Sequence, residues 1–252
     1  MRDDEESGYD PRGNGRARDV TSVEFNEAEP PEELKSIVHR YLEVRTREPL
    51  TEDYRFHALP DACTYIVFDQ LNPSVTGVTR LRASSEELNL GREFHFFNVR
   101  FLPGVWQRAS DIAYGIVDAP YSGELPLVKL NRQLSSQDFP TNQISLNVFV
   151  GELLEQGLVE PNPVVQRIFA RLFDIHSVAE MAEAARLSPR QLQRVLKRTT
   201  GFAPHDFFKV LRLQQSLEGE PSLSYADQSH FIRSFRAATG YTPTQYAKKF
   251  DV

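Results

Sequence analysis

Four long polar side chains near the C-terminus are spaced so that they share one face of a helix. They are Arg190, Gln193, Arg194 and Lys197, which follow one another at the three- and four-residue intervals of an α-helix. Arginine and glutamine form paired hydrogen bonds that match the edges of guanine and adenine in the major groove of DNA. The spacing therefore predicts a helix face that reads base pairs. The alternative is a solvated charged face that binds nothing.

Two capping sequences begin the helices that must position this face. Residues 177–180, Ser-Val-Ala-Glu, predict a short helix that extends through Ala185. Residues 188–191, Ser-Pro-Arg-Gln, begin the next helix and place a proline in its first turn. The predicted inward face of that second helix consists of Leu192, Val195, Leu196 and Thr199.

The C-terminal third contains an internal repeat at an offset of 39 residues. Residues 194–204 and 233–243 share the pattern R-x-[LF]-[KR]-x-x-T-G-[FY]-x-P. Each glycine is placed to end a helix in the left-handed conformation, and each proline suits the first turn of the next helix. The repeat therefore predicts two helix-turn-helix units.

In the second unit, Asp227 is predicted to cap the helix that corresponds to the first recognition helix. Its inward face is predicted to consist of Phe231, Ser234, Phe235 and Ala238. Its outward face is predicted to carry Ser229, Ile232, Arg233 and Arg236. An exposed isoleucine there can contact a thymine methyl group, and partial burial is the alternative.

The second unit departs from the first where its supporting helix should lie. Gly219 and Pro221 fall in that stretch, and both residues destabilise a helix interior. One consequence would be a poorly held second helix, so that only the first unit reads DNA. In the alternative, the long helix predicted from Pro204 to about residue 217 supplies the missing packing.

Residues 188–201 and 227–243 resemble the two halves of the DNA-binding domain of the AraC/XylS family of transcription regulators. The resemblance covers about residues 165–250 and is strongest in D-Q-S-x-F-x-R-x-F followed by G-x-T-P. It implies that both recognition helices enter adjacent major grooves on one face of the DNA. The base-reading residues that it implies are Arg190, Gln193 and Arg194 in the first unit and Gln228, Ser229, Ile232 and Arg233 in the second.

Charge is distributed unevenly along the chain. The net charge is −6, yet residues 160–252 carry 13 Lys and Arg against 9 Asp and Glu, a charge of +4, and the remainder carries −10. A basic C-terminal part is consistent with contacts to nucleic acid. Contacts to phosphates, which give affinity without sequence information, are expected from Lys197, Arg198, Lys209, Arg212, Arg236 and Lys248.

The N-terminal half is predicted to be rich in β-strands. Residues 37–44, 63–68 and 93–101 are β-branched and aromatic, with turn residues between them. Residues 59–68 and 97–104 resemble the β-rich domain often found before AraC-type DNA-binding domains. That resemblance implies a cupin-like barrel that senses a ligand, mediates dimerisation, or both.

The predicted fold class is α+β, with an N-terminal β-rich barrel or sandwich and a C-terminal all-α double helix-turn-helix domain. The domains are expected as a disordered tail (1–20), a sensor or dimerisation domain (21–140), a helix and linker (141–163) and a DNA-binding domain (164–252). Expected partners are double-stranded DNA, a small-molecule effector, a second copy of the chain and, for an activator, RNA polymerase.

A metal site in the N-terminal half is the main chemical alternative. His57, Glu93 and His95 offer nitrogen and oxygen ligands, but the usual cupin pattern of H-x-H with a later Glu and His is absent. No metal, cofactor or catalytic set is therefore predicted, and the chain is not expected to be an enzyme. The rival functions are a protein-interaction module derived from such a regulator, and a cupin-type enzyme fused to a DNA reader.

Three further side chains and the N-terminus complete the sequence predictions. Cys63 is expected to be an inert buried thiol, and Trp106 and Tyr114 fit either a ligand pocket or core packing. A single cysteine, a polar N-terminus and the lack of an apolar run of roughly 18 residues favour a cytoplasmic protein away from membranes.

Overall fold

The computed structural model describes residues 9–18, 20–108, 112–113, 116–217 and 228–251 of the 252 residues. The strands are β1 (Asn14–Ala17), β2 (Val23–Ala28), β3 (Val38–Thr46), β4 (Arg55–Ala58), β5 (Thr64–Asp69), β6 (Thr76–Thr79), β7 (Glu86–Asn89), β8 (His95–Phe101), β9 (Ile112–Ala113) and β10 (Phe250–Asp251). The helices are α1 (Leu127–Leu134), α2 (Phe139–Glu155), α3 (Pro163–Phe169), α4 (Val178–Ala184), α5 (Pro189–Thr199), α6 (Pro204–Leu217), α7 (Gln228–Thr239) and α8 (Pro243–Lys249). Strands followed by helices confirm the α+β class.

The strands form two sheets. One has the order β10-β1-β4-β7 and the other the order β2-β3-β8-β5-β6-β9, with antiparallel pairing except between β6 and β9. In the part of the chain that is described, neither sheet closes on itself, so of the predicted barrel or sandwich it is the sandwich that describes the domain.

The strands predicted around residues 37–44, 63–68 and 93–101 are β3, β5 and β8, which lie next to one another in the six-stranded sheet. Alternate side chains of these strands are buried on one face, where α1 and α2 pack. Phe97 of β8 stacks on Phe139 with ring centroids 5.9 Å apart, and the Tyr41 hydroxyl donates to Asn147 Oδ1 at 2.6 Å. The other face of this sheet lies toward the four-stranded sheet.

The disordered tail predicted for residues 1–20 is wrong for residues 9–18, while residues 1–8 lie outside the described part. Tyr9 is buried, stacks on Phe169 at 4.3 Å and donates its hydroxyl to the Asp61 carbonyl at 2.6 Å. β1 then pairs with β4 on one side and with β10 on the other. Because its hydrogen-bond partners come from distant parts of the chain, the segment is ordered without an apolar pattern of its own.

Residues 157–163, the last part of the predicted helix and linker, join α2 to α3 and pack against the sheet domain. Val159 is fully buried and forms a bridge with Trp106, and the Glu160 amide donates to the Val105 carbonyl at 2.9 Å. A single apolar core runs from the six-stranded sheet through this segment into α4, α5 and α6. The first helix-turn-helix unit therefore shares its core with the N-terminal half.

The N-terminal residues singled out for chemistry lie apart from one another. Trp106 packs against Phe101 with ring centroids 5.7 Å apart, and Tyr114 lies outside the described residues. His57 lies in the four-stranded sheet and His95 in the six-stranded one. Among the residues that the structure describes, no three His, Cys, Asp or Glu side chains come together as a metal site. Within the same residues, no helix is long and apolar enough to cross a membrane.

Cys63 is buried, as predicted, immediately before β5. Burial raises the pKa of its thiol well above the ordinary value. The thiol therefore stays protonated at neutral pH, which makes it a poor nucleophile.

Candidate nucleic-acid interface

The first unit consists of α4, a tight turn and α5, and each helix begins at a capping serine. Ser177 Oγ accepts a hydrogen bond from the Glu180 amide at 3.1 Å. At Ser188, the side chain accepts from the Gln191 amide at 3.3 Å and Gln191 Oε1 accepts from the Ser188 amide at 2.9 Å, which is a complete capping box. Arg186 has a φ of 58° in the turn between the helices.

The inward face of α5 is the one that the sequence predicts. Leu192 and Leu196 are fully buried, and Val195 and Thr199 are half-buried. From α3, Arg167 Nε donates to the Ala185 carbonyl at 3.0 Å and so holds the end of α4. The back of α5 is therefore fixed by the core, which leaves its other face to solvent.

All five predicted DNA-contacting residues of α5 are exposed: Arg190, Gln193, Arg194, Lys197 and Arg198. In the part of the chain that is described, none of the four basic ones forms an ion pair. Lys197 Nζ donates to the Gly201 carbonyl at 2.9 Å, at the C-terminal end of the helix. A solvated helix face without internal counter-charges suits an external anion.

Replacing Ser188 with alanine is expected to lower the free energy of unfolding by about 1 kcal/mol. The substitution removes the oxygen that accepts from the Gln191 amide at the first turn of α5. Urea unfolding followed by circular dichroism measures the loss. Ser84→Ala, at an exposed serine in the N-terminal half, is the matched control and should leave the unfolding midpoint unchanged.

In the second unit, α7 packs through Phe235 and Thr239, which are both buried, on a small core of its own. That core contains Leu213 of α6 and Tyr246 of α8, with Leu217 at its edge. The long helix α6 therefore takes part in the packing behind α7, which is the second of the two alternatives that the sequence left open. Gly219, Pro221 and the predicted cap Asp227 lie outside the described residues.

The N-terminal sheet provides the remaining support for α7. His57 Nε2 lies 3.1 Å from the Thr239 carbonyl, and the Ser85 amide donates to the Ala238 carbonyl at 2.7 Å. These bonds satisfy carbonyls at the C-terminal end of α7 that have no partner within the helix. The His57 ring also stacks on Phe250 at 4.7 Å, where β10 joins the four-stranded sheet.

Acidification is expected to destabilise the protein through His57, because the charged ring is buried at this contact. Burial lowers the pKa of His57 from its ordinary value of 6.5, so the unfolded chain takes up a proton more readily than the folded protein. The contribution of His57 to stability is then present above that value and is lost as the pH falls below it. The His57→Gln variant should therefore lose less stability than the natural protein between about pH 7 and pH 5 in urea unfolding.

His205, which is exposed on α6, provides the control for that experiment. The His205→Gln variant should keep the pH dependence of the natural protein. An equal pH dependence in the natural protein and the His57→Gln variant would contradict the assignment.

The outward face of α7 is solvent-exposed at Gln228, Ser229, Ile232, Arg233 and Arg236. Arg233 Nε donates to the Ser229 carbonyl at 3.3 Å, which lays its side chain along the helix. Ile232 is 37% exposed and lies among these polar groups. The two helices thus present comparable outward faces.

The remaining residues predicted to contact phosphates have different surroundings. Lys209 and Lys248 are exposed. Arg212 is half-buried, and its guanidinium carbon lies 5.3 Å from the centre of the Phe208 ring. Beside Lys248, Lys249 donates to the Tyr241 hydroxyl at 2.7 Å, which ties it to the end of the domain.

The supports for α7 from the N-terminal half were missed by the sequence reasoning. The sequence suggests only a metal-ligand role for His57 and no role for Ser85. No local pattern marks either residue, since the bonds join residues 182 positions apart in the case of His57 and Thr239. Side chains alternate between the two faces of a strand, so His57 lies on the opposite face of β4 from Phe56 and Ala58. This alternation is the feature of the sequence that indicates the position of His57.

Comparisons with known proteins give limited similarity. The family model of a domain of unknown function, DUF6597, matches residues 26–114, about a third of the chain. No curated protein sequence matches significantly. Two crystal structures of ToxT from Vibrio cholerae resemble the fold: one of an apo single-residue variant from strain SCE256, with 12% identity and a TM-score of 0.42, and one with 11% identity and a TM-score of 0.43.

Both ToxT alignments cover 92% of this chain, and they cover 99% and 100% of the ToxT chains. At this level of similarity, neither structure assigns a function to this chain.

Proposed function

We propose that this protein regulates transcription by binding specific DNA sequences through α5 and α7. The observation that carries the proposal is that two helices related by the 39-residue repeat each have a buried back and an exposed polar face. On α5 that face carries Arg190, Gln193 and Arg194, and on α7 it carries Ile232 and Arg233. These side chains can form base contacts in the major groove.

The support behind α7 favours two-site reading over a single reading helix. Two packed elements, α6 and α8, and hydrogen bonds from His57 and Ser85 hold α7 in place. A recognition helix that is held rigidly loses little conformational freedom on binding. We therefore expect both α5 and α7 to read bases.

A second copy of the chain is the proposed protein partner. Ile144 and Val148, one turn apart on α2, are 67% and 60% exposed, and Gly151 continues the same row. An exposed apolar stripe of this kind suits a helix-to-helix contact between copies.

Val148→Lys should lower the apparent mass in sedimentation equilibrium if α2 joins the copies, and an unchanged mass would exclude this contact. RNA polymerase becomes a further partner if the regulator activates transcription.

Selection of bound sequences from random DNA tests the proposed function. We expect an enriched sequence with two blocks about one helical turn apart, because each recognition helix enters one major groove. The Arg190→Ala/Arg194→Ala variant should lose one block and Arg233→Ala should weaken the other. A single block in the natural protein would contradict reading by α7. Enrichment of no sequence would contradict the proposal and favour a protein-interaction module.

A further inference from the structure

A cavity lies between the two sheets of the N-terminal half. Its volume is about 300 Å³, at the lower end of the range of small-molecule sites. Its apolar lining comes from both sheets and includes Phe25, Leu42, Phe56, Leu88, Leu90 and Phe96. Exposed residues such as Ile116 and Asp118 also line the space, so a ligand can enter it from solvent.

Polar side chains interrupt this apolar lining. Asn98 lies on the cavity face of β8, near the middle of the six-stranded sheet, and its side chain makes no hydrogen bond within the part of the chain that is described. Asn14 Nδ2, on β1, is buried and likewise finds no acceptor there. An unsatisfied buried donor is costly, and an acceptor atom on a ligand would satisfy it.

The charged side chains of the lining already have partners or face solvent. Glu27 lies 3.1 Å from Arg16 and 3.7 Å from Arg100, and Arg82 lies 3.0 Å from Glu86. The Glu43 carboxylate is held by a side-chain amide and an imidazole. The Asp69 carboxylate accepts from two backbone amides, and Asp118 is exposed to solvent.

A carboxylate ligand would therefore find no free cation among the described lining residues. An ionised ligand would lose its hydration on entering the cavity, and no opposite charge there would offset that loss of free energy. We propose that the cavity binds a small, uncharged and mainly apolar molecule that carries a hydrogen-bond acceptor such as a carbonyl oxygen.

The wall of this cavity also supports the second recognition helix. In β4, Phe56 and Ala58 line the cavity, while His57 between them contacts the Thr239 carbonyl at the end of α7. β1 contributes Asn14 to the cavity and pairs with the C-terminal strand β10. One sheet thus has the ligand on one face and the second helix-turn-helix unit on the other.

Occupation of the cavity stiffens β4 and thereby strengthens the support for α7. Ligand and DNA then each increase the affinity for the other, since coupling between two sites is reciprocal. This regulatory part of the proposal rests on the proposed function, whereas the binding part stands without it.

Displacement of Nile red, an uncharged fluorescent apolar dye, tests the ligand class in the full-length protein. Octanone, octanoate and octylamine have similar apolar chains and differ in the charge of their polar end. We expect octanone to displace the dye at about tenfold lower concentration than either charged compound. Stronger displacement by octanoate or octylamine would overturn the assignment of an uncharged ligand, and failure of the dye to bind would overturn the site.

Two substitutions locate the dye. Leu88→Trp should fill the cavity and abolish binding, whereas Lys129→Trp, at an exposed position on α1, should leave it unchanged. Asn98→Leu keeps the apolar lining, so the dye should bind while the preference for octanone falls. Circular dichroism confirms that each variant is folded. Unchanged dye binding in the Leu88→Trp variant would place the dye elsewhere and overturn the proposal.

The regulatory part is measured separately, by the affinity for the selected DNA with and without octanone. We expect tighter binding of the natural protein with octanone and no change in the Leu88→Trp variant. DNA binding that does not respond to octanone in a protein that binds it would overturn the coupling and leave the proposed function intact. Octanone binding without any DNA binding would instead overturn the proposed function and leave the ligand site intact.

Discussion

Replacing Arg100 with methionine is expected to lower the free energy of unfolding by about 3–5 kcal/mol, because it removes the positive charge near the buried Asp61 carboxylate. Arg100 is 2% exposed and lies on β8, and its guanidinium donates to the Pro11 carbonyl. Glu27 lies 3.7 Å from the same group. The substitution therefore also removes a bond that holds the N-terminal segment in place.

Asp61 is the acidic group most affected by this substitution. It is buried, and its carboxylate accepts hydrogen bonds from the Tyr65 hydroxyl and from the Cys63 amide. Burial raises the pKa of Asp61, and the charge of Arg100 opposes that rise. Without Arg100 the pKa of Asp61 rises further, so stability is lost as the pH increases above the value of the unfolded chain. The deficit of the variant should be larger at about pH 7 than at about pH 5.

Urea unfolding at both pH values measures this effect, and two further variants interpret it. Arg100→Met/Asp61→Asn should regain part of the lost stability, since the unpaired charge is removed together with its partner. Arg45→Met, which removes an exposed arginine paired with Glu24 at 2.7 Å in the same sheet, should cost under about 1 kcal/mol. A double variant that is as unstable as the sum of its single substitutions would contradict a charge-based cause.

Local sequence signals predicted the helices of the first unit well. The capping box at Ser188 and the apolar positions Leu192 and Leu196 define where α5 begins and which side is buried. These signals join residues within one or two turns of the same helix. They can be recognised in the sequence because the interacting residues are only a few positions apart. The exposed positions of Arg190 and Arg194 follow from the same periodicity.

Long-range pairing could not be predicted in the same way. β1 has the sequence Asn-Gly-Arg-Ala, which has no apolar alternation, yet it pairs with β10 at the opposite end of the chain. Gly15 permits this pairing, because a Cβ atom there would lie 2.3 Å from the Tyr246 hydroxyl oxygen. The strand is defined by its two neighbours, which only the folded chain brings together.

The inter-sheet cavity illustrates a related limit. Alternation along β4 and β8 indicates which residues share a face, but the face that meets a second sheet is determined by the topology. A closed barrel and an open sandwich both satisfy the pattern of short strands that the sequence contains. The four-stranded sheet lines the cavity with one face and supports α7 with the other. The sequence does not predict this arrangement, because it depends on the strand order β10-β1-β4-β7.

Loss of both arginines from the outward face of α5 is expected to have the largest effect on DNA binding. Each bidentate contact to a base contributes about 1–3 kcal/mol of discrimination, so Arg190→Ala/Arg194→Ala should weaken binding to the selected sequence by about 2–6 kcal/mol. Because both side chains are exposed and away from the core, the free energy of unfolding should stay close to that of the natural protein. Fluorescence anisotropy with the selected duplex and a scrambled duplex measures the two affinities.

Lys209→Ala provides the contrasting variant, since Lys209 is exposed on α6 and is predicted to contact a phosphate. It should weaken binding to both duplexes equally and lower the slope of log affinity against log salt by about 1. The arginine variant should instead lose affinity mainly for the selected duplex, which narrows the difference between the two duplexes while α7 still reads its own block. Equal losses on both duplexes in the arginine variant would show that α5 contacts only the backbone, because a base contact is lost selectively from the sequence that provides it.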